Sequence, residues 1–185
     1  MSIKINIGSG LNKHQGYLNL DIDPRSSPDF VIELGKDPLP FPDSSVSAVR
    51  AYHILEHIGE GFFFLMQELY RVCEDGAVLD IRVPHPFHQG FYEDLTHVRP
   101  ILPLAMQKLG RKYCSESVAT GCYDRGLADR LGVDFEMIEH KFIPDSYYHE
   151  ALYKGPSDEL KRTFREALNT CIEIQMRLRV VKEAT

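Results

Sequence analysis

Ile3-Lys4-Ile5-Asn6-Ile7-Gly8-Ser9-Gly10, with Leu18-Asn19-Leu20-Asp21-Ile22-Asp23-Pro24 close behind it, sets the frame for the rest of the chain. A short apolar run stops at a glycine–serine–glycine turn, and a second apolar run ends in an acidic residue. Open α/β sheets build a nucleotide crevice from these parts. Glycines let the backbone come close to a ligand without Cβ interference and accept φ values closed to other residues. An acid at the tip of the next strand can accept hydrogen bonds from two ribose hydroxyls.

The spacing narrows the ligand. A dinucleotide fingerprint has a third glycine, a crossover helix and a ribose acid about 20 residues on. Here Lys13 stands at the third glycine position, and Asp21 follows only eleven positions after Gly10. No proper helix fits between the two strands, so no helix N-terminus is expected to face a pyrophosphate, and the ligand is expected to lack a diphosphate. Taken alone, the stretch also reads as a glycine-containing turn between two core strands.

Outward from there, Ile3 to Ile7 reads as the central strand, apolar because both faces are covered. Gly8 to Gly16 is a tight polar connection, since a parallel crossover normally takes about ten to twelve residues or more. Tyr17 to Leu20 is the second strand and Asp29 to Leu34 the third. Gly35 to Asp43 is a Pro-rich turn. Ser47 to His53 is the fourth strand, with His53 near its carboxyl end. Phe62, Leu65, Met66, Leu69 and Val72 fall at helical spacing, which predicts a helix from Ile58 or Gly59 to Cys73. Glu74-Asp75-Gly76 turns into a fifth strand, Ala77 to Val83, stopped by Pro84. His85 to Arg111 reads as a loop over the crevice, then a short helix from Leu102 to Leu109. Arg111 to Asp134 reads as mostly irregular or mobile, with a short helix near Leu127. Phe135 to Ile143 is a sixth strand, Asp158 to about Leu168 an amphipathic helix, and a seventh strand lies within Cys171 to Lys182. Strands alternating with helices imply a doubly wound, mostly parallel, Rossmann-like α/β layer. No repeat or domain boundary interrupts it, so residues 1–185 are expected to form a single domain.

Composition supports this class. The chain of 185 residues is long enough for one domain with a real core. Its apolar fraction of 43% and charged fraction of 26% are ordinary for a globular protein. A net charge of −6 argues against general nucleic-acid binding, which needs a basic face; a local basic patch remains around Lys108, Arg111 and Lys112. Cys73, Cys114, Cys122 and Cys171 show neither a CxxC pair nor zinc spacing and read as reduced thiols. The amino terminus enters a strand directly, with no signal peptide, and no apolar run reaches the length of a membrane span. A cytoplasmic protein without membrane binding is expected.

Read together, Ile5 to Gly10, Tyr17 to Pro24, Leu39-Pro40-Phe41-Pro42-Asp43, His53-Ile54-Leu55-Glu56-His57 and Glu68 to Pro84 resemble the class I S-adenosylmethionine-dependent methyltransferases. The closest match is the small group often called type 11 methyltransferases. The resemblance runs from about Ile3 to Pro100, with the motifs in the family's order. It implies a seven-stranded sheet whose last two strands form an antiparallel hairpin. Some short family members likewise pass from the glycine loop to the second strand without a helix. It also implies a cofactor half at about 1–84 and a lid and acceptor half at about 85–185. The cofactor would be S-adenosylmethionine and the product S-adenosylhomocysteine.

By that resemblance Gly8, Ser9 and Gly10 wrap the methionine part of the cofactor, and Asp21 holds the ribose hydroxyls. Asp23 is its near rival, because a one-residue shift in Asp-Ile-Asp would exchange their faces. Glu33 and Leu34 fall beside the adenine ring, where the family often has Asp; an exposed acid at a strand end is the plainer reading of Glu33. His53 falls near the methionine moiety. Leu55, Glu56 and His57 complete a Leu-Glu-His signature, although Glu56 also reads as a helix cap and His57 as a packing residue.

Methyl transfer is an in-line displacement at a sulfonium, so holding acceptor and methyl in line is much of the work. A hydroxyl acceptor also needs a base, and histidine suits pH 7. His97, oriented by Asp94, is the candidate base within Asp94-Leu95-Thr96-His97-Val98-Arg99-Pro100, a segment resembling one seen after the fifth strand in some family members. Arg99 reads equally as an anion ligand or as the partner of a structural carboxylate. His85, His88, Asp94 and His97 could bind a metal, but their spacing fits no zinc pattern and no metal is expected. Tyr147, Tyr148 and His149 read either as an aromatic wall or as core. The expected activity is therefore methyl transfer to a small-molecule or sugar-type acceptor, preferably at oxygen, with a homodimer allowed. A non-catalytic binding module or partner subunit is the alternative; a nucleotide-dependent oxidoreductase is disfavoured by the missing third glycine and the short crossover.

Overall fold

The computed structural model describes residues 2–119, 126–146, 157–158, 162 and 167–182. Strands Ile3–Ile7 (β1), Leu18–Asp21 (β2), Phe30–Val31 (β3), Val46–Tyr52 (β4), Cys73–Pro84 (β5), Phe135–Pro144 (β6) and Cys171–Val180 (β7) form one sheet. Their order is β3-β2-β1-β4-β5-β7-β6. Strands β1 to β5 pair in parallel, whereas β7 runs antiparallel to both β5 and β6. This is the mostly parallel seven-stranded sheet with a C-terminal antiparallel pair that the sequence predicts.

No helix joins β1 to β2, and the chain has a substitute for one. Asn6 and Asn19 point from adjacent strands and are 2% and 6% exposed. The Asn6 amide donates to the Asn19 side chain at 2.9 Å and to the Asn12 carbonyl at 3.2 Å. Asn19 in turn accepts from the His14 amide at 3.1 Å and donates to the Tyr17 carbonyl at 3.1 Å. Two side-chain amides thus satisfy loop backbone that a helix would have satisfied internally. Asp29 completes the network, since hydrogen bonds from the Asn19 backbone and side chain hold its carboxyl below the usual carboxylate range.

The helix between β4 and β5, Phe62–Val72 (α1), buries Phe62, Leu65, Met66, Leu69 and Val72. These share one core cluster with Ile5, Ile7, Val49, Leu79 and Ile81 of the sheet. In β4, β5 and β7 buried apolar residues alternate with polar ones such as Arg50, Tyr52, Asp80, Arg82, Gln175 and Arg177. Parallel strands covered on both faces would read as apolar throughout. Here the second face is polar, and the Arg50 and Arg82 guanidiniums lie 4.0 and 4.2 Å from the Tyr52 ring centroid.

Several boundaries differ from expectation. The third strand is two residues rather than Asp29 to Leu34, because Asp29 is drawn to Asn19 and the chain turns again by Gly35. Strand β5 begins at Cys73 rather than Ala77. Glu74-Asp75-Gly76 is a bulge, with the pairing stepping from Val46–Cys73 to Ala48–Val78. Short helices follow at Gln89–Glu93 (α2) and Pro103–Gln107 (α3). Arg111–Ala119 (α4) is a helix where irregular chain is expected. Its first amide is capped by Asp134 at 2.9 Å, a partner invisible to a local reading. Leu127–Leu131 (α5) is the short helix expected near Leu127. Most of the helix expected over Asp158 to Leu168, together with Cys122, Tyr147, Tyr148 and His149, lies outside the described residues. Among the described residues no helix is long and apolar enough to cross a membrane.

Candidate functional site

The sheet order reverses direction between β1 and β4, which makes the carboxyl ends of these strands a topological switch point, the place where open α/β sheets bind ligands. A cleft of about 660 Å³ lies there, a size that suits a small-molecule ligand. Gly8 and Gly10 leave β1 with φ of 62° and 49°. A Cβ on Gly8 would collide with the Ile54 side chain, so the turn needs glycine for space as well as for conformation. The Ser9 amide donates to the Leu20 carbonyl at 3.0 Å, which places Ser9 beneath the loop, 4% exposed.

Asp21 ends β2 with its carboxylate facing this loop. It accepts from the Gly10 amide at 2.7 Å and from the Asp23 amide at 2.8 Å, and it lines the cleft. Each carboxylate oxygen still has a lone pair free. Asp23 is turned away from this role: it caps the turn Pro24–Ser26 and pairs with Arg25 through two oxygens at 2.9 and 2.8 Å. The Arg25 hydrogen bond holds the Asp23 carboxyl below its usual range.

Glu33 and Leu34 line the next part of the cleft with Ile22 and Ile32, and the Glu33 carboxylate pairs with Lys36 at 2.6 Å. Ile22 is 60% exposed, an apolar surface that a flat ring could cover. Opposite, Gly59 and Gly61 precede α1. A Cβ on Gly61 would run into the Gly35 carbonyl, so two backbone segments meet across the cleft wall. The sequence signal for this wall was Gly59-Glu60-Gly61, a spacing with no reading of its own.

His53 lies just past β4 in the left-handed region, φ 52°, and projects between two acids. Its Nε2 is 2.9 Å from Glu173 of β7 and its Nδ1 is 3.5 Å from Glu56. The Glu173 hydrogen bond, then the neighbouring Glu56 carboxylate, raises its pKa to about 9, so it is an imidazolium at neutral pH and a donor rather than a base. Ile54, His57 and Ile58 continue the lining.

The loop after α2 returns to this region. The Val98 and Arg99 amides donate to the Glu56 carbonyl at 2.9 and 3.1 Å. His97 packs edge-on against His57, ring centroids 4.7 Å apart. The Phe91 carbonyl orients it, accepting from Nδ1 at 2.8 Å. Asp94 stands 3.7 Å from His97 Nε2, too far for a hydrogen bond, and is occupied by the Thr96 amide and hydroxyl at 2.8 and 2.6 Å. Arg99 pairs with no carboxylate among the described residues: it donates to the Ile58 and Gly59 carbonyls at 3.2 and 2.9 Å and lies over the Phe62 ring. His85 and His88 are separate from His97. His88 caps α2 through Gly90 and faces Asp145 at 3.4 Å, and His85 accepts from the Phe87 amide.

No protein-family model and no curated protein matches the chain. Among solved structures it is similar to a SAM-dependent methyltransferase from Archaeoglobus fulgidus at 16% identity, over 96% of this chain and 86% of that one, with a TM-score of 0.60. The YcgJ protein of Bacillus subtilis matches at 14% identity over 99% and 93%, TM-score 0.60. An S-adenosylmethionine-dependent methyltransferase from Mesorhizobium loti matches at 16% identity over 96% and 90%, TM-score 0.53. Identities this low carry the architecture and leave the chemistry to the site itself. With its strand order and its antiparallel last pair, the chain has the class I S-adenosylmethionine-dependent methyltransferase fold.

Proposed function

We propose that the chain binds S-adenosylmethionine in the cleft between the Gly8–Gly10 turn and His53 and transfers its methyl group to a small-molecule or sugar-type acceptor, at oxygen. The observation that carries this reading is Asp21. It is a carboxylate at the switch point, fixed by two backbone amides and open to two hydroxyls. Ile22, Ile32 and Leu34 offer apolar surface for the adenine, and Gly8 and Gly10 give the methionine part room along the backbone. In the transfer the acceptor oxygen bonds to the methyl carbon as the carbon–sulfur bond breaks, leaving a neutral thioether. The acceptor's proton passes to His97, whose Nδ1 bond to Phe91 makes Nε2 the nitrogen that accepts it.

Calorimetric titration with S-adenosylhomocysteine, with NADH as control, tests this. Micromolar binding of the first alone is expected. Binding of NADH, or of neither, would overturn the reading. Binding of S-adenosylhomocysteine with no turnover on any hydroxylated acceptor would favour the partner-subunit alternative instead.

A further inference from the structure

We propose that Glu56, His57 and His97 form a site for a divalent transition-metal ion of the zinc class at the edge of the cleft. One ligand atom from each residue lies within 4.8 Å of the others. Glu56 is fully buried, and neither of its carboxylate oxygens has a hydrogen-bond partner among the described residues. Burying an ionised carboxylate in this state is strongly unfavourable unless a cation compensates it. The His53 imidazolium, with Nδ1 at 3.5 Å, supplies positive charge from one side without a good hydrogen bond, and His97 Nε2 at 4.0 Å is too distant for one, so both carboxylate oxygens keep their lone pairs for a ligand.

Contacts at Nδ1 select the same tautomer for both neighbouring imidazoles. The Thr96 hydroxyl donates to Asp94 at 2.6 Å, so at His57, 2.9 Å away, it can only accept. That places a proton on His57 Nδ1. His97 Nδ1 faces the Phe91 carbonyl, an obligate acceptor, at 2.8 Å, and carries a proton for the same reason. The neutral form of each ring therefore presents Nε2 as its lone-pair nitrogen, with the other nitrogen braced by an oxygen, as metal-bound histidines are. Two imidazoles and a carboxylate suit zinc, cobalt or nickel better than magnesium or calcium. Donors about 2.0–2.2 Å from one tetrahedral ion stand roughly 3.3–3.6 Å apart, so binding would draw the three ligand atoms together by up to about 1.5 Å. Because His57 also lines the cleft, a fourth coordination position would be available there to an oxygen ligand.

The site was not legible as a motif. Glu56 and His57 are adjacent while His97 arrives on a distant loop, and His85 and His88, which stand near it in sequence, are elsewhere. The proposal does not rest on methyl transfer, but it reassigns the His97 lone pair from base to ligand; an acceptor hydroxyl would then be acidified by the ion.

The test is titration of chelator-treated full-length protein with Zn²⁺ by calorimetry and with Co²⁺ by visible absorption. One equivalent is expected to bind, with X-ray absorption of the zinc-loaded wild type showing two imidazoles and an oxygen-donor carboxylate. Glu56→Gln and His97→Ala should lose saturable binding. Thr96→Val, which unbraces His57, should weaken it about 10–100-fold, and the exposed-site control His140→Ala should bind as wild type. No saturable binding, equal affinity in the Glu56 and His97 variants, or a coordination shell without imidazole would overturn the site. The wild-type spectra decide the matter if a variant does not fold. S-adenosylhomocysteine titrated with and without zinc keeps the two proposals separable, since either ligand can bind when the other does not.

Discussion

Asp21 and Asp23 are separated by one residue, and their difference is decided by what each carboxylate already holds. Asp21 accepts from two backbone amides of the cleft, whereas Asp23 is committed to Arg25 on the surface. Asp21→Asn should therefore weaken S-adenosylhomocysteine binding by about 1–3 kcal/mol, the cost of a charged hydrogen-bonding group lost from a partly buried site. Asp23→Asn should leave it unchanged, and the reverse result by calorimetry would exchange their roles. Gly8→Ala should destabilise the fold by about 1–3 kcal/mol, since the positive φ and the Ile54 side chain both oppose a Cβ; its thermal midpoint against wild type checks this. Residue types and spacing marked Gly8, Gly10 and Asp21, and the family resemblance marked His53, all of which line the cleft. The partners of Arg99 and His97 were not, because both are backbone carbonyls, which leave no mark on a side-chain pattern.

At the scale of an element, the resemblance motif at Leu39 to Asp43 and the start of the one running from Glu68 to Pro84 turn out to be two sides of one staple. Arg71 on α1 donates to the Leu39 and Phe41 carbonyls at 2.9 and 3.0 Å and to Asp43 at 2.7 Å. Glu68, one turn earlier, accepts from Arg71 and from the Leu39 amide at 2.8 Å. The Pro-rich turn supplies few hydrogen bonds of its own, so the helix satisfies it from outside. The Arg71 guanidinium, and then the Leu39 amide against some burial, holds the Glu68 carboxyl below the ordinary value of 4.5. Its contribution to stability is thus full above 4.5 and is lost as the pH falls through the lower folded value. Glu68→Gln should cost about 1–3 kcal/mol at neutral pH and flatten the acid limb of a plot of thermal midpoint against pH. An unchanged acid limb would remove Glu68 from the account. The periodicity of α1 made this helix plain in sequence, whereas α4 was hidden because its polar residues show little periodicity and its cap comes from Asp134, far along the chain.

Over the whole molecule, β7 joins two tasks that the sequence presents separately. It is inserted between β5 and β6, so the last described strand is an interior one, and it carries Glu173 to His53 at the cleft. Met176, 1% exposed, pairs opposite Ile81 on β5 and His140 on β6 and is remote from the ligand by lining. Met176→Ala should cost about 2–5 kcal/mol through the cavity it leaves. S-adenosylhomocysteine at about 100 times its Kd should add about 2.7 kcal/mol to the folded state. For a chain of this size that is a rise of about 5–11 °C in thermal midpoint. The same increment is expected in Met176→Ala, since the two sites share no partner and their effects should add. Glu173→Gln, on the same strand but in contact with His53, should shrink the increment because it disturbs the charge facing the ligand. Equal increments in all three proteins would mean that β7 supports the sheet alone. A smaller increment in Glu173→Gln only would mean that the strand closing the sheet also completes the cofactor cleft.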